Sequence, residues 1–313
     1  MLLLTIACAA PVDSAAPDAP EDKWDDSLGL KDNCFADIGN SGEPWPTYDS
    51  MDATWGHHCA GSNHQDIRDV ERVIFLGDSV TAGTPPSDEE DYYRTQLDAP
   101  LKERFGDIEI ADCSAWGART DDLLDEPHKQ LLTCAPEPDP RRTLVLFTIG
   151  GNDAMAANDT LNETGSEAEA AQVLISGVET LRTFFTWVRD NEETWFPGGL
   201  DIVYTNVYEF TDGTGDLSSC PTADAMGFGG EVDRIRDAYV YIDESFVNMA
   251  VEYQTDVVLL FENFCGHGWR SEDPATDCYR GEDTVRWLDA TCIHPNPEGH
   301  AELARLFLAV IDE

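Results

Sequence analysis

Five apolar runs of strand length, separated by segments with helical periodicity, constrain the fold of this 313-residue chain more than any other feature. Strands that alternate with helices form a parallel sheet, and right-handed crossovers place helices on both of its faces. The sequence therefore predicts an α/β protein, a three-layer α/β/α sandwich around a five-stranded parallel sheet. The predicted strands are Arg72 to Leu76, Ile108 to Ala111, Thr143 to Ile149, Asp201 to Asn206 and Asp256 to Phe261.

Three helices are predicted with particular clarity. The one between the third and fourth strands carries apolar residues every three or four positions, and another is expected over residues 231–253. The last is expected to begin at Pro297 with Asn296 as its N-cap, because proline suits the first helical position. The apolar positions of the first of these helices are Leu174, Val178, Leu181, Phe185 and Val188.

The first 69 residues lack any sustained apolar period and are interpreted as lying outside the main domain of residues 70–313. Residues 1–8 resemble the end of a bacterial lipoprotein signal, with Cys8 as the candidate lipidation site, although Thr5 stands where Leu is usual. Residues 9–69 are predicted to form an acidic tether and an irregular arm. We expect a secreted or cell-surface lipoprotein of the bacterial envelope, with a membrane tether through Cys8.

The cysteine count supports an oxidising compartment. Without Cys8, eight cysteines remain, an even number that suits four disulfides, and their spacing matches no C-x-x-C zinc site. Eight cysteines allow 105 pairings, so the connectivity stays open. Local loops suggest the pairs Cys34 with Cys59, Cys113 with Cys134, and Cys265 with either Cys278 or Cys292.

No metal site is expected. His57, His58 and His64 lie in the arm without cysteines or carboxylates at ligand spacing, so they are interpreted as loop residues. The segment from Asp212 to Asp216 faintly resembles a calcium loop but lacks the later Glu that such a loop requires.

Charge limits the classes of partner. With 62 acidic and 19 basic side chains the net charge is −43, which repels phosphate backbones and anionic lipid headgroups. Nucleic acid is therefore excluded as a partner. A hydrophobic content of 42% is ample for a large core, so the chain is not a disordered protein.

Four short motifs follow predicted strands or precede the final helix. In open parallel sheets reactive side chains lie just past the carboxyl ends of the strands, where the first three motifs fall. The four are Gly77-Asp78-Ser79, Ser114-Ala115-Trp116-Gly117, Gly150-Gly151-Asn152-Asp153 and Ile293-His294-Pro295-Asn296.

Together and in this order, the four motifs resemble the GDSL/SGNH hydrolase family of esterases, lipases and carbohydrate deacetylases. The likeness covers residues 70–313, and Val80 replaces the usual Leu of the first motif. The resemblance implies a flavodoxin-like SGNH hydrolase fold and chemistry without a cofactor. It assigns Ser79 as nucleophile and His294 as its base, and places the oxyanion donors at the backbone N–H groups of Ser79 and Gly117 and the side chain of Asn152.

The third member of a catalytic triad is where the sequence departs from this family. The acid usually stands three residues before the histidine, and that position is Thr291. Asp289, five residues before His294, could reach the imidazole if the loop bulges; alternatively a backbone carbonyl orients His294 and leaves a Ser-His dyad. Asp78 and Asp153 are expected to be structural, with Asp78 capping the turn that follows it.

Two functions remain open from the sequence. The first is a serine esterase that hydrolyses carboxylic esters of lipids, short-chain acyl groups or acetylated carbohydrates. The second is a non-catalytic surface lipoprotein that uses the same scaffold for binding. Trp116 and Trp269 either flank an acyl or sugar pocket or serve in packing, and the oligomeric state is not predicted.

Overall fold

The computed structural model describes residues 24–39, 44–125, 128–222 and 230–313, and its centre is a parallel sheet. The strands lie in the order β2-β1-β3-β4-β5, and every neighbouring pair is parallel. This order is that of flavodoxin-like sheets, and it confirms the predicted fold class. The strands are β1 (Arg72–Gly77), β2 (Glu109–Asp112), β3 (Thr143–Thr148), β4 (Leu200–Thr205) and β5 (Asp256–Val258).

Helices cover both faces of the sheet. Side chains alternate along a strand, so Val73 and Phe75 of β1 pack on one face while Ile74 and Leu76 pack on the other. The described helices are α1 (Leu30–Cys34), α2 (Ser79–Ala82), α3 (Tyr93–Phe105), α4 (Gln130–Cys134), α5 (Gly151–Thr164), α6 (Glu167–Trp195), α7 (Arg236–Tyr253), α8 (Leu260–Phe264) and α9 (Pro297–Asp312).

Each face has its own core. Helices α3 and α9 supply Leu97, Leu303 and Phe307 to the first, and α6 and α7 supply Phe185 and Phe246 to the second. Along the described residues, no helix combines the length and the apolar character that crossing a bilayer requires.

The three clearest predicted helices are present. All five periodic residues of α6 are buried, as expected for the core-facing stripe of an amphipathic helix. Helix α9 begins at Pro297, and the Asn296 side chain accepts a hydrogen bond from the Gly299 N–H at 2.8 Å, which confirms the predicted cap. Helix α7 starts later than predicted, at Arg236, after a 3-10 turn over Val232–Ile235.

The fifth strand is shorter than predicted, because the apolar run that begins at Asp256 changes from strand to helix. Strand β5 ends at Val258, and α8 follows from Leu260. The Asn206 side chain accepts a hydrogen bond from the Phe261 N–H at 2.9 Å and so satisfies a backbone donor at the start of that helix. A short buried apolar run suits either conformation, and periodicity alone does not separate them.

The described part of the arm packs against the domain. Leu30, Phe35 and Tyr48 belong to the core on the α6 side of the sheet. The arm also runs along β5, where the Leu259 N–H donates to the Ala60 carbonyl at 2.8 Å. The arm thus covers the β5 edge of the sheet. Residues 1–23, with the predicted signal segment and Cys8, lie outside the described residues.

Eight cysteines form four disulfides, as their even number predicts. Cys34–Cys59 and Cys113–Cys134 are the expected local pairs, and Cys265 pairs with Cys278 rather than Cys292. The fourth bond, Cys220–Cys292, joins residues 72 positions apart. It attaches the loop before α9 to the connection that follows β4.

Candidate active site

Ser79 stands at a turn that the sequence builds from glycine and an N-cap. Strand β1 ends at Gly77, which must be glycine because its φ is +107° and because a Cβ there would collide with the Thr148 carbonyl oxygen. Asp78 then caps α2 by accepting the Val80 N–H at 3.0 Å, which confirms its predicted structural role. Ser79 is the first residue of α2, so its backbone N–H has no carbonyl partner within the helix.

The structure brings Ser79 and His294 together across 215 positions of sequence. The Ser79 Oγ lies 2.9 Å from the His294 Nε2, within hydrogen-bond distance for transfer of the serine proton. Burial lowers the pKa of His294 below its usual value, and the charge of Asp289 opposes that shift. A neutral imidazole is the form that can accept a proton.

Asp289 is near His294 but does not contact the imidazole directly. Thr291 lies between them, with its hydroxyl oxygen 3.1 Å from His294 Nδ1. The same hydroxyl donates to Asp289 Oδ1, and the Thr291 backbone N–H donates to that oxygen at 2.7 Å. The carboxylate predicted as the third triad member is thus connected to the histidine through a side-chain hydroxyl.

The loop that carries these residues is held on several sides. The Asp289 N–H donates to the His294 carbonyl at 2.9 Å and closes the loop at its base. Trp269 donates its indole N–H to the Asp289 carbonyl at 2.7 Å, and the Tyr208 hydroxyl donates to the Ile293 carbonyl. With the Cys220–Cys292 disulfide, these contacts fix the loop before α9.

Besides the Ser79 N–H, the predicted oxyanion donors are Asn152 and Gly117, which lie on two neighbouring segments. Asn152 is the second residue of α5, after the N-cap Gly150, and it uses one amide N–H to reach the Ala118 carbonyl at 2.9 Å. Its amide has a second N–H, which stays available to a ligand. Gly117 has a φ of +78°, and a Cβ there would meet nothing within 4 Å. The backbone conformation, rather than a lack of space, therefore favours glycine at this position.

A cavity of about 50 Å³ adjoins the serine and the histidine. Asn152 lines it with them, whereas Gly117 does not. Most of the remaining lining is apolar and comes from the segments that follow β3 and β4, from α5 and α8, and from the loop before α9. Those residues include Ile149, Met155, Val207, Tyr208, Phe210, Leu260 and Ile293.

The sequence matches the model of the GDSL-like lipase/acylhydrolase family over residues 75–302, nearly three quarters of the chain. The chain belongs to this family. It is accordingly a hydrolase that acts on ester bonds, as the four motifs predict. The comparison with curated proteins finds no significant match.

The fold of this chain also agrees with that of a solved structure. Phospholipase A1 from Streptomyces albidoflavus NA297 is 19% identical, with a TM-score of 0.52 over 76% of this chain and 98% of that protein. The lipase Lip_vut3 from a goat rumen metagenome is 15% identical, with a TM-score of 0.47 over 76% and 96% of the two chains. Of these two, the phospholipase is similar enough to support the fold assignment.

Two carboxyl groups that belong to the family motifs are buried and form structural hydrogen bonds. Asp78 also accepts the Thr148 hydroxyl at 2.8 Å, and burial raises its pKa to about 7. Asp153 accepts the backbone N–H and the hydroxyl of Thr120 at 3.2 and 3.1 Å, and burial raises its pKa to about 6. Asp153 therefore joins α5 to the turn beyond Gly117, in the structural role predicted for it.

The other polar candidates have structural partners. His58 lies 2.7 Å from Glu313, His64 contacts the Thr255 carbonyl, and His57 stacks on Trp24. Within the described ranges, no three His, Cys, Asp or Glu side chains are grouped to hold a metal ion.

Asp212 and the two tryptophans are also accounted for. Asp212 accepts the N–H groups of Gly268 and Arg270 at 2.7 and 2.6 Å and thereby connects two loops. Trp269 supports the loop of Asp289. Trp116 is 62% exposed, and its indole N–H donates to the Gly83 carbonyl at 2.8 Å.

Sequence reasoning gave Thr291 no function of its own. The available signal was its position, three residues before the histidine, where this family usually carries an acid. A hydroxyl there suggests contact with the imidazole, but only the folded loop shows that the same hydroxyl also reaches Asp289.

Proposed function

We propose that this chain is a serine esterase that hydrolyses carboxylic esters through an acyl-enzyme on Ser79. The observation that carries the proposal is the 2.9 Å contact between the Ser79 hydroxyl and His294 Nε2, beside a cavity that Asn152 also lines. A nucleophile, its base and a neutral hydrogen-bond donor converge there, as acyl transfer requires.

The reaction uses the chain's own groups and water. Ser79 Oγ attacks the ester carbonyl carbon while His294 Nε2 takes the hydroxyl proton. The resulting oxyanion is stabilised by the N–H groups of Ser79, Gly117 and Asn152. His294 then protonates the departing alcohol, leaving an acyl group on Ser79. A water molecule, deprotonated by His294, attacks that acyl group, and the acid is released as Ser79 regains its proton.

The size and lining of the cavity favour a short acyl group. A cavity that holds a single water molecule has a volume of roughly 10–15 Å³. A volume of about 50 Å³ therefore suits acetyl or a slightly longer chain, and a long acyl chain would have to extend into solvent. The net charge of −43 disfavours anionic headgroups, so we propose short-chain esters and neutral acetylated polysaccharides ahead of anionic phospholipids.

We further propose that the protein is exported and that Cys8 carries a lipid anchor. Four disulfides among the described residues support an oxidising compartment. The mass of the N-terminal peptide from the native host tests the anchor, since lipidation adds acyl chains to Cys8.

The test of the enzyme is hydrolysis of p-nitrophenyl esters from acetate to palmitate, alongside acetylated xylan. We expect turnover that is greatest with the short esters and abolished in Ser79→Ala. Ser87→Ala is the matched control, because the Ser87 hydroxyl is buried without a hydrogen-bond partner in the part of the chain that the structure describes. A fluorophosphonate probe should label the wild type and the control, but not Ser79→Ala.

Each contrary outcome has a distinct meaning. Greatest turnover with palmitate would contradict the short-acyl assignment and leave the esterase intact. Folded wild-type protein with neither turnover nor probe labelling would contradict the esterase and favour the binding lipoprotein.

A further inference from the structure

We propose that Thr291 is a positioning residue whose hydroxyl couples Asp289 to His294, so that the carboxylate acts on the imidazole without touching it. This inference rests on the proposed esterase, because it concerns the base that activates Ser79. It replaces both arrangements left open by the sequence, a direct Asp-His contact and a dyad held by a backbone carbonyl.

The direction of the hydrogen bonds follows from what each group can donate. A threonine hydroxyl has one hydrogen, and a carboxylate can only accept. Since the Thr291 hydroxyl donates to Asp289 Oδ1, its oxygen must accept at the 3.1 Å contact with His294. The proton of the neutral imidazole is therefore on Nδ1, and Nε2 is free to accept the proton of Ser79 at 2.9 Å.

The loop holds the hydroxyl in this place. The Thr291 backbone N–H and hydroxyl both bind the same oxygen of Asp289, so two bonds orient the threonine. The Ile293 N–H lies 3.5 Å from the Thr291 hydroxyl oxygen, a long contact that its second lone pair can accommodate. The Cys292 N–H donates to the Asp289 carbonyl at 3.0 Å and closes the turn that places Thr291 under the imidazole.

The surroundings of Asp289 support a role for its charge. Its side chain is buried, and its second oxygen, Oδ2, has no hydrogen-bond partner in the described ranges. A buried carboxylate is costly unless a nearby positive charge compensates it. His294 becomes positive when it takes the serine proton, and Asp289 then stabilises the imidazolium through the Thr291 hydroxyl.

The first test compares Thr291→Val with Thr291→Ser. Valine keeps the shape of threonine and removes the hydroxyl, whereas serine keeps it. Loss of a triad carboxylate's orienting role lowers kcat by about 10⁴-fold. We expect Thr291→Val to lose on the order of 10²- to 10⁴-fold in kcat with little change in KM. Thr291→Ser should restore most of that loss. Valine activity within about threefold of wild type, or serine as inactive as valine, would overturn the proposal.

A double-mutant cycle with Asp289→Asn tests the coupling itself. If the carboxylate acts through the hydroxyl, Asp289→Asn should lower kcat in the wild type but have little further effect in Thr291→Val. Fully additive losses would show that Asp289 and Thr291 act independently, against the proposal.

A spectroscopic measurement tests the inference without relying on enzymatic activity. In wild-type protein with ¹⁵N-labelled histidine, the resting His294 should carry its proton on Nδ1. A proton on Nε2 would overturn the inference, and this measurement stands even if Thr291→Val does not fold. Absence of ester hydrolysis together with a proton on Nδ1 would sink the esterase and support the tautomer that the hydrogen-bond arrangement requires.

Discussion

The Cys220–Cys292 disulfide should contribute to both stability and activity, because it ends two residues before His294. We consider the variant Cys220→Ala/Cys292→Ala. In the chain-entropy description, a cross-link over 72 residues stabilises the folded state by about 4 kcal/mol. The Cys34–Cys59 bond spans 25 residues in the arm and is worth about 3.5 kcal/mol in the same description. Its double-alanine variant is therefore a control of similar cost, away from His294.

The expected effects on activity differ between the two variants. A displacement of about 1 Å at a catalytic group can cost 10²-fold in rate. Without its disulfide the loop keeps the Trp269 and Tyr208 contacts and its own closing hydrogen bond. We therefore expect a loss of about 10- to 100-fold in kcat for the Cys220/Cys292 variant. The Cys34/Cys59 variant should keep its kcat.

Urea denaturation gives the change in the free energy of unfolding, and turnover of p-nitrophenyl acetate gives kcat under conditions where both variants are folded. Equal losses of kcat in the two variants would mean that activity follows global stability. Full activity without the Cys220–Cys292 bond would show that the other contacts suffice. Either result would refute the assignment of a local role to this disulfide.

Two further predictions concern the oxyanion donor and the buried carboxyl groups. Asn152→Ala should lower kcat by about 10²- to 10³-fold at similar KM; Asn152→Asp keeps the size but not the donor, so an active Asp variant would contradict the assignment. Burial raises the folded-state pKa of Asp78 and Glu209 to about 7 and that of Asp201 to about 6. At these carboxyl groups the folded state thus binds more protons than the unfolded state from about pH 4 to 7, so their contribution to stability is lost as the pH rises through this window. Calorimetry should give a higher Tm at pH 5 than at pH 8, and the opposite order would refute this account.

Much of the fold could be predicted from the sequence because its signals are local. Strand β3 is a continuous apolar run, and a parallel strand buried on both faces requires one. The N-cap Asn296 and Pro297 fix the start of α9 through contacts within four residues. The first three motifs likewise fall where predicted strands end, so Ser79 and Asn152 are expected at the same edge of the sheet from the sequence alone.

Other features depend on contacts between distant segments. The end of β5 could not be predicted, because a short apolar run suits strand and helix equally and the Asn206 contact to Phe261 forms only in the folded chain. The packing of the arm along that strand and the choice of Cys220 as partner of Cys292 join segments far apart in sequence.

The sequence by itself determined the fold class, the family and the residues that carry the proposed chemistry. Only the tertiary structure decided how His294 is oriented, because a hydrogen bond depends on distances of tenths of an ångström that residue spacing does not specify. Thr291 and Asp289 were both visible in the sequence, as a departure from the family pattern and as the nearest acid. The folded loop places the Thr291 hydroxyl between the carboxylate of Asp289 and the imidazole of His294. The residue that departs from the family pattern therefore connects these two groups.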